Sequence, residues 1–139
     1  MTHKLNLQII TPKKVVLERE IDSLVAPTKA GEVTILPSHM PLFSVLDDGV
    51  VTIKEQEGDT YLSIGGGYLE TDGKKVHLLV SRAAGQDDID EQEVQEAQQE
   101  AERRLKDAPT KEARHEAMLQ LRRSLVDMKL IKKAKRKTH

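Results

Sequence analysis

His39 is the side chain that most invites a chemical reading, because it sits at the tip of a Pro37-Ser38-His39-Met40-Pro41 segment. An imidazole can serve as acid, base or metal ligand near neutral pH. Each of those roles needs partners at a recognisable spacing. No Ser-His-Asp set and no His-x-x-x-His pair accompanies His39, and His3, His77, His115 and His139 are scattered. The histidine is therefore expected to be a surface or interface residue. Asp47-Asp48 could suggest a carboxylate dyad, but Asp-Asp-Gly49 is ordinary turn chemistry. Gly65-Gly66-Gly67 could cradle a phosphate, yet no helix start and no Lys-Ser/Thr pair follows it. It falls inside strand pattern, where glycine marks a bulge, a sharp bend or a close backbone approach. The run Lys132-Lys133-Ala134-Lys135-Arg136-Lys137 could bind nucleic acid or acidic lipid. With no aromatic or motif nearby it reads as a solvated helix end, for which an acidic protein surface is an equally good target. No residue set here supports an enzyme, a metal centre or a bound cofactor.

Such residues need a scaffold, and composition narrows it. The chain of 139 residues fits one small domain with an appendage. One Phe, two Tyr and no Trp leave an aliphatic core of Val, Ile and Leu. The absence of cysteine excludes disulfides, a thiol nucleophile and Cys-ligated metal. Apolar runs are too short for a membrane span. The opening Met1-Thr2-His3-Lys4-Leu5-Asn6-Leu7 alternates instead of forming the apolar stretch of a signal peptide. A soluble intracellular protein is expected, with no direct membrane insertion and any membrane link made through a partner.

Up to about Arg82 the apolar pattern has a period of two. Leu5, Leu7 and Ile9 alternate with Asn6, Gln8 and Ile10; Val51 and Ile53 with Thr52 and Lys54; Val76, Leu78 and Val80 with His77, Leu79 and Ser81. Turn signals recur at Thr11-Pro12, Lys29 to Gly31, Asp47 to Gly49, Glu57 to Asp59 and Asp72-Gly73. This pattern predicts a mainly β sandwich or flattened barrel over residues 1–85. A Pro-x-x-x-Pro segment cannot be an interior strand, so the His39 loop must be a rigid connection at one end of the sheet.

From Asp88 the period becomes helical. Asp88 to Glu91 and Asp90 to Glu93 both resemble N-terminal caps, with acids suited to the first turn. Val94, Ala97, Ala101 and Leu105 form one narrow apolar stripe; Ala113, Ala117, Leu121, Leu125 and Met128 form a second after a break at Asp107 to Thr110. An antiparallel two-helix hairpin over residues 86–139 is expected. Net charge is −2 over residues 1–85, −6 over 86–108 and +7 over 109–139. Small Ala contacts and solvated charge pairs make any one arrangement of such helices marginal, which favours a movable arm.

The loop, the glycine triplet and the sheet-then-hairpin order together resemble the ε subunit of bacterial F-type ATP synthases, across essentially the whole chain. Gly31-Glu32, an apolar strand and Pro37-x-His39-x-Pro41-Leu42 are similar to that family's Gly-Glu…Pro-Gly-His-x-Pro-Leu segment, with Ser38 where Gly is usual. Gly65-Gly66-Gly67-Tyr68-Leu69-Glu70 and Gly85-Gln86-Asp87-Asp88-Ile89-Asp90 match its glycine-rich strand start and its join into the helices.

The resemblance implies a non-catalytic rotor subunit of the central stalk, bound to the γ subunit and the c-ring on the cytoplasmic face of the bacterial membrane. There it would help couple proton flow to ATP synthesis. It implies that Glu32, His39, Met40 and Leu42 lie in the docking region. It also implies that the helices can extend into the α/β hexamer and restrain ATP hydrolysis, with Arg114, Arg122, Arg123 and Lys129 as first candidates for contact. Some relatives bind ATP through an Ile/Leu-Asp-x-x-Arg-Ala motif. Here Glu93 and Val94 replace the Arg and Ala, so weak or absent nucleotide binding is expected. The competing expectation is a free-standing β-sandwich ligand-binding module with a helical dimerisation hairpin.

Overall fold

The computed structural model describes residues 3–137, so His139 lies outside the described residues. The chain divides into two compact units that meet at Ala84/Gly85. The first holds β1 (Leu5–Ile10), β2 (Val15–Ile21), β3 (Ser23–Thr28), β4 (Gly31–Ile35), β5 (Leu42–Leu46), β6 (Gly49–Glu55), β7 (Gly58–Ile64), β8 (Gly67–Thr71), β9 (Lys75–Val80) and the start of β10 (Ala83–Gly85). Their order across the sheet is β10-β7-β6-β3-β5-β8-β9-β1-β2, with β4 paired to β3 off that path.

The period-two pattern does what it should on β1 and β9. Leu5, Leu7 and Ile9 face inward, as do Val76, Leu78 and Val80, and these two strands pair in parallel, Leu7 opposite Val76. They meet Leu24, Ala26, Val51, Ile53 and Leu69 in one aliphatic core. On β6 the alternation vanishes, because Val50, Val51, Thr52 and Ile53 are all buried on a strand that lies between β3 and β7. Side chains link the sheet's distant strands: Arg19 of edge strand β2 reaches Glu55 at 2.7 Å and Thr60 at 3.4 Å. The sheet therefore curls into a flattened barrel, as its sequence pattern predicts.

The second unit begins with a 3-10 turn (Gln86–Asp88) and continues into α1 (Glu91–Asp107) and α2 (Lys111–Lys137). Asp90 caps α1, its carboxylate accepting from the Gln92 and Glu93 amides at 2.9 and 3.1 Å. Thr110 caps α2 through the Ala113 amide at 3.0 Å. The helices run antiparallel. Lys135 near the end of α2 pairs with Glu91 at the start of α1, 2.9 Å away, and Arg104 near the end of α1 bonds Gln120 at 2.8 Å. No described helix is long and apolar enough to cross a membrane.

The α1 stripe lies where its spacing puts it, with Val94 and Ala101 buried. The α2 stripe holds only in part: Ala117 is buried and Ala113, Leu121 and Met128 are half-buried, but Leu125 is half in solvent, while Ser124, Asp127, Leu130, Ile131 and Ala134 are buried. Over its first half α2 turns the small Ala117 and Ser124 inward, which lets the helix backbones approach closely, and leaves the bulkier Leu125 outside; towards its end Leu130 and Ile131 are buried as well.

Candidate docking site

The His39 loop is a rigid turn carried on β4 and braced by a neighbouring hairpin. The His39 amide donates to the Leu36 carbonyl at 3.1 Å, closing a four-residue turn with Pro37 second and Ser38 third. Ser38 holds φ 66, the left-handed value that the third position of a type II turn demands. The serine thus adopts the conformation in which glycine would carry no steric penalty.

The brace is the β8–β9 turn. The Ser38 amide donates to the Gly73 carbonyl at 2.8 Å. A Cβ on Gly73 would sit 2.6 Å from the His39 carbonyl oxygen, and Gly73 itself has φ 94. Only glycine fits both conditions. That turn is held by Thr71, whose hydroxyl donates to the Lys75 carbonyl and accepts from the Gly73 amide. Asp72 accepts from the Lys75 and Lys74 amides at 2.8 and 2.9 Å. Those two amides hold the exposed Asp72 carboxyl below its usual 3.8, the Lys75 amide contributing most.

The loop's own side chains are thereby sorted. His39 is half-buried, with Nδ1 2.7 Å from the Met40 carbonyl, so the ring proton at that position is committed to the backbone. Met40 projects with 78% of its surface exposed, and Leu36 beside the loop is also exposed. Leu42 opens β5 and packs half-buried against the core, leaving outward apolar contact to its neighbour Phe43. Glu32 is exposed near the start of β4, about 13 Å along the strand from Leu36 at about 3.3 Å per residue. The structure brings His39 and Met40 together and leaves Glu32 apart from them.

The remaining sequence candidates fall into structural roles. Asp48 Oδ1 accepts from the Gly66 amide at 2.7 Å, and Asp47 accepts from the Asp48 amide and pairs with Lys29 at 3.1 Å. A Cβ on Gly67 would run into the Leu79 carbonyl, and one on Gly65 into the Ser81 hydroxyl. The triplet is thus a close backbone approach between strands. Among the described residues no group of three or more His, Cys, Asp or Glu is placed to hold a metal ion. On the helices, Arg114, Arg122, Arg123 and Lys129 are all exposed, Glu93 is exposed, and Val94 is buried.

A second apolar surface escaped the sequence reading. Val45 of β5 lies opposite Tyr68 of β8, which lies opposite Leu79 of β9, and all three are exposed. Phe43 stacks on Tyr68 with ring centroids 5.5 Å apart. Leu79 continues to Ile10 of β1, beside a groove of about 450 Å³ that Gly66, Gly67, Thr11 and Pro12 also line. The available signal was the chain's single Phe and one of its two Tyr at outward strand positions. Soluble proteins seldom leave such a contiguous patch open without a partner.

Comparison with known proteins agrees with this architecture unit by unit. Residues 4–86 match the family "ATP synthase, Delta/Epsilon chain, beta-sandwich domain", and residues 87–132 match "ATP synthase, Delta/Epsilon chain, long alpha-helix domain". The ATP synthase epsilon chain of Moorella thermoacetica is 40% identical over 106 residues, covering 76% of this chain and 79% of its own length. That of Carboxydothermus hydrogenoformans is 36% identical over 105 residues, covering 76% and 78%. The chloroplastic epsilon chain of Nicotiana tabacum is 32% identical over 120 residues, covering 86% and 90%. A chain of the Euglena gracilis mitochondrial ATP synthase, solved as OSCP, F1 and c-ring, shares the fold with TM-score 0.79 at 19% identity, covering 94% of this chain and 81% of that one. On both family matches and on these relatives, the chain belongs to the ATP synthase epsilon chains.

Proposed function

We propose that this protein is a non-catalytic central-stalk subunit of a bacterial F-type ATP synthase, peripheral to the cytoplasmic face of the membrane. The observation that carries the reading is the match of both units, in order, to the two halves of the epsilon family. The sandwich, residues 1–85, is the docking body. Its Pro-bracketed loop offers Met40 to the c-ring from a backbone that cannot sag, with His39 stiffening the tip and Glu32 contributing charge from the start of β4. The exposed Val45-Tyr68-Leu79 stripe with Phe43 offers the γ subunit an apolar face. Burying such a patch on a partner removes its exposure to water, which drives association.

The hairpin, residues 86–139, is the regulatory arm. Its buried residues mix Ala, Ser and Asp with only three larger aliphatics, Val94, Leu130 and Ile131, so its apolar burial is smaller than the sandwich's and release from the closed state has the lower cost. Extended, it would meet acidic surfaces of the α/β hexamer with Arg114, Arg122, Arg123 and Lys129 and slow ATP hydrolysis. Nucleotide does not govern this arm. The Asp90 carboxylate already occupies the α1 N-terminus, and Glu93 stands beside it where phosphate would need a cation. Calorimetry of the isolated subunit should give no micromolar ATP binding.

Purification of the tagged full chain from native membranes should recover a γ-type coiled-coil subunit and the catalytic hexamer. Recovery of the chain alone, as a monomer or as a homodimer joined through its helices, would overturn the reading.

A further inference from the structure

Helix α2 carries two seams, and only one of them is used by α1. Assigned to a heptad with Met118 at position a, the a and d positions are Lys111, Arg114, Met118, Leu121, Leu125, Met128, Lys132 and Lys135. The buried residues of α2 fall at g (Ala117, Ser124, Ile131), c (Asp127, Ala134) and f (Leu130), on the opposite side, and of the a/d row Lys135 at its end pairs with Glu91 of α1. Met118 and Leu125 stand outside, 47% and 50% exposed, with Leu121 and Met128 half-buried beside them. The e positions are His115, Arg122, Lys129 and Arg136, all exposed. The acids of α2, Glu112, Glu116 and Asp127, occupy b, f and c, away from this face.

A 3-4-3 apolar spacing flanked by one sign of charge is the pattern that recognises another helix. We infer that this a/d/e face of α2 docks a partner helix with an apolar heptad seam and acidic flanks, while the hairpin stays closed. The observation is a second apolar seam left open beside the one that α1 fills. A second copy of this chain is a poor occupant, since its cationic e row would face another cationic row. A bilayer suits the face poorly as well. Surface-lying helices segregate apolar and basic residues to opposite sides and favour aromatics, whereas here the cations and the four apolar residues share one side. This inference concerns the helix face alone and stands apart from the assembly reading above.

The test uses the full chain and a synthetic helix of about four heptads with Leu at a and d and Glu at e and g, against a twin with Lys at e and g. The Glu-flanked peptide should bind, weakening with added salt, and the Lys-flanked twin should not. Leu125→Glu should weaken binding about tenfold or more, given what burying a Leu contributes. Leu125 is exposed enough for the variant to keep its helicity. Independently, Arg122→Glu with Lys129→Glu should reverse the preference towards the Lys-flanked peptide. Amide exchange along α1 should stay unchanged on binding.

Equal binding of the two peptides, or binding of neither, would overturn the inference. So would loss of α1 protection on binding, which would mean that the hairpin must open. Self-association of the chain that Leu125→Glu abolishes would assign the face to a second copy. Binding to vesicles of anionic phospholipid in preference to the peptide would assign it to a membrane surface.

Discussion

The sandwich and the hairpin are built from opposite materials. The sandwich fixes its form through fully buried Leu and Ile, such as Leu5, Leu24, Leu69 and Leu78, and through backbone approaches so tight that Gly67 admits no side chain. The hairpin closes mostly over small or polar residues, Ala101, Ala117, Ser124, Asp127 and Ala134, with Val94, Leu130 and Ile131 as its larger apolar members and exposed pairs such as Lys135–Glu91 at its rim. Exposed ion pairs contribute about 0–1 kcal/mol each, and a buried alanine carries little apolar surface. The sandwich is therefore the more fully packed unit, and the hairpin is expected to open at the lower cost.

The contrast can be broken by matched substitutions. Leu78→Ala in the sandwich should cost about 2–5 kcal/mol in urea unfolding. Leu105→Ala in the hairpin should cost less, about 1–2 kcal/mol, because Leu105 is only partly buried. Equal losses would mean that the hairpin is as firmly packed as the sheet. Next in size, Asp90→Ala removes the α1 cap and should cost about 1 kcal/mol. Hydrogen exchange should place that loss in the helices, and a loss spread into the β-strands would couple the regions more tightly than their composition allows. Ser38→Gly should stabilise the sandwich by up to about 1 kcal/mol, relief of the φ 66 strain being partly offset by extra freedom in the unfolded chain. A destabilised Ser38→Gly would show that the serine makes a contact outweighing its strain.

The smallest effect is a pH dependence confined to the sandwich. Because the folded state lowers the Asp72 pKa, this group adds stability above its usual 3.8 and loses that contribution as pH falls through the folded value. Asp72→Asn should therefore flatten the acid limb of the stability curve below about pH 4, with little change near neutrality. An unchanged acid limb would remove Asp72 as a support of the His39 loop.

Much of this contrast is legible in the sequence, and the failures are instructive. Strand alternation on β1 and β9, the two prolines and the Asp90 cap each have a local cause that the chain spells out. The α2 register was harder to read. Size favours Leu125 as a core residue, but around it α2 buries the smaller Ala117 and Ser124 and reserves its large buried side chains for Leu130 and Ile131 near its end, and periodicity alone does not rank small against large. The apolar stripe of Val45, Tyr68 and Leu79 was missed for a related reason. Its members come from three strands, β5, β8 and β9, and no local pattern announces that they align. Glu32 and His39, close in sequence, are separated by the length of β4.

The central claim is that the body docks and the arm regulates. Truncation after Gln86 should leave a folded sandwich, since the aliphatic core ends at Val80 and the half-buried Ala83 completes its edge. The decisive measurement is ATP hydrolysis by the complex assembled with the full chain and with the truncated one. The truncated subunit should assemble and hydrolysis should rise. Hydrolysis that stays unchanged with a truncated subunit in place, or failure of that subunit to assemble, would contradict it.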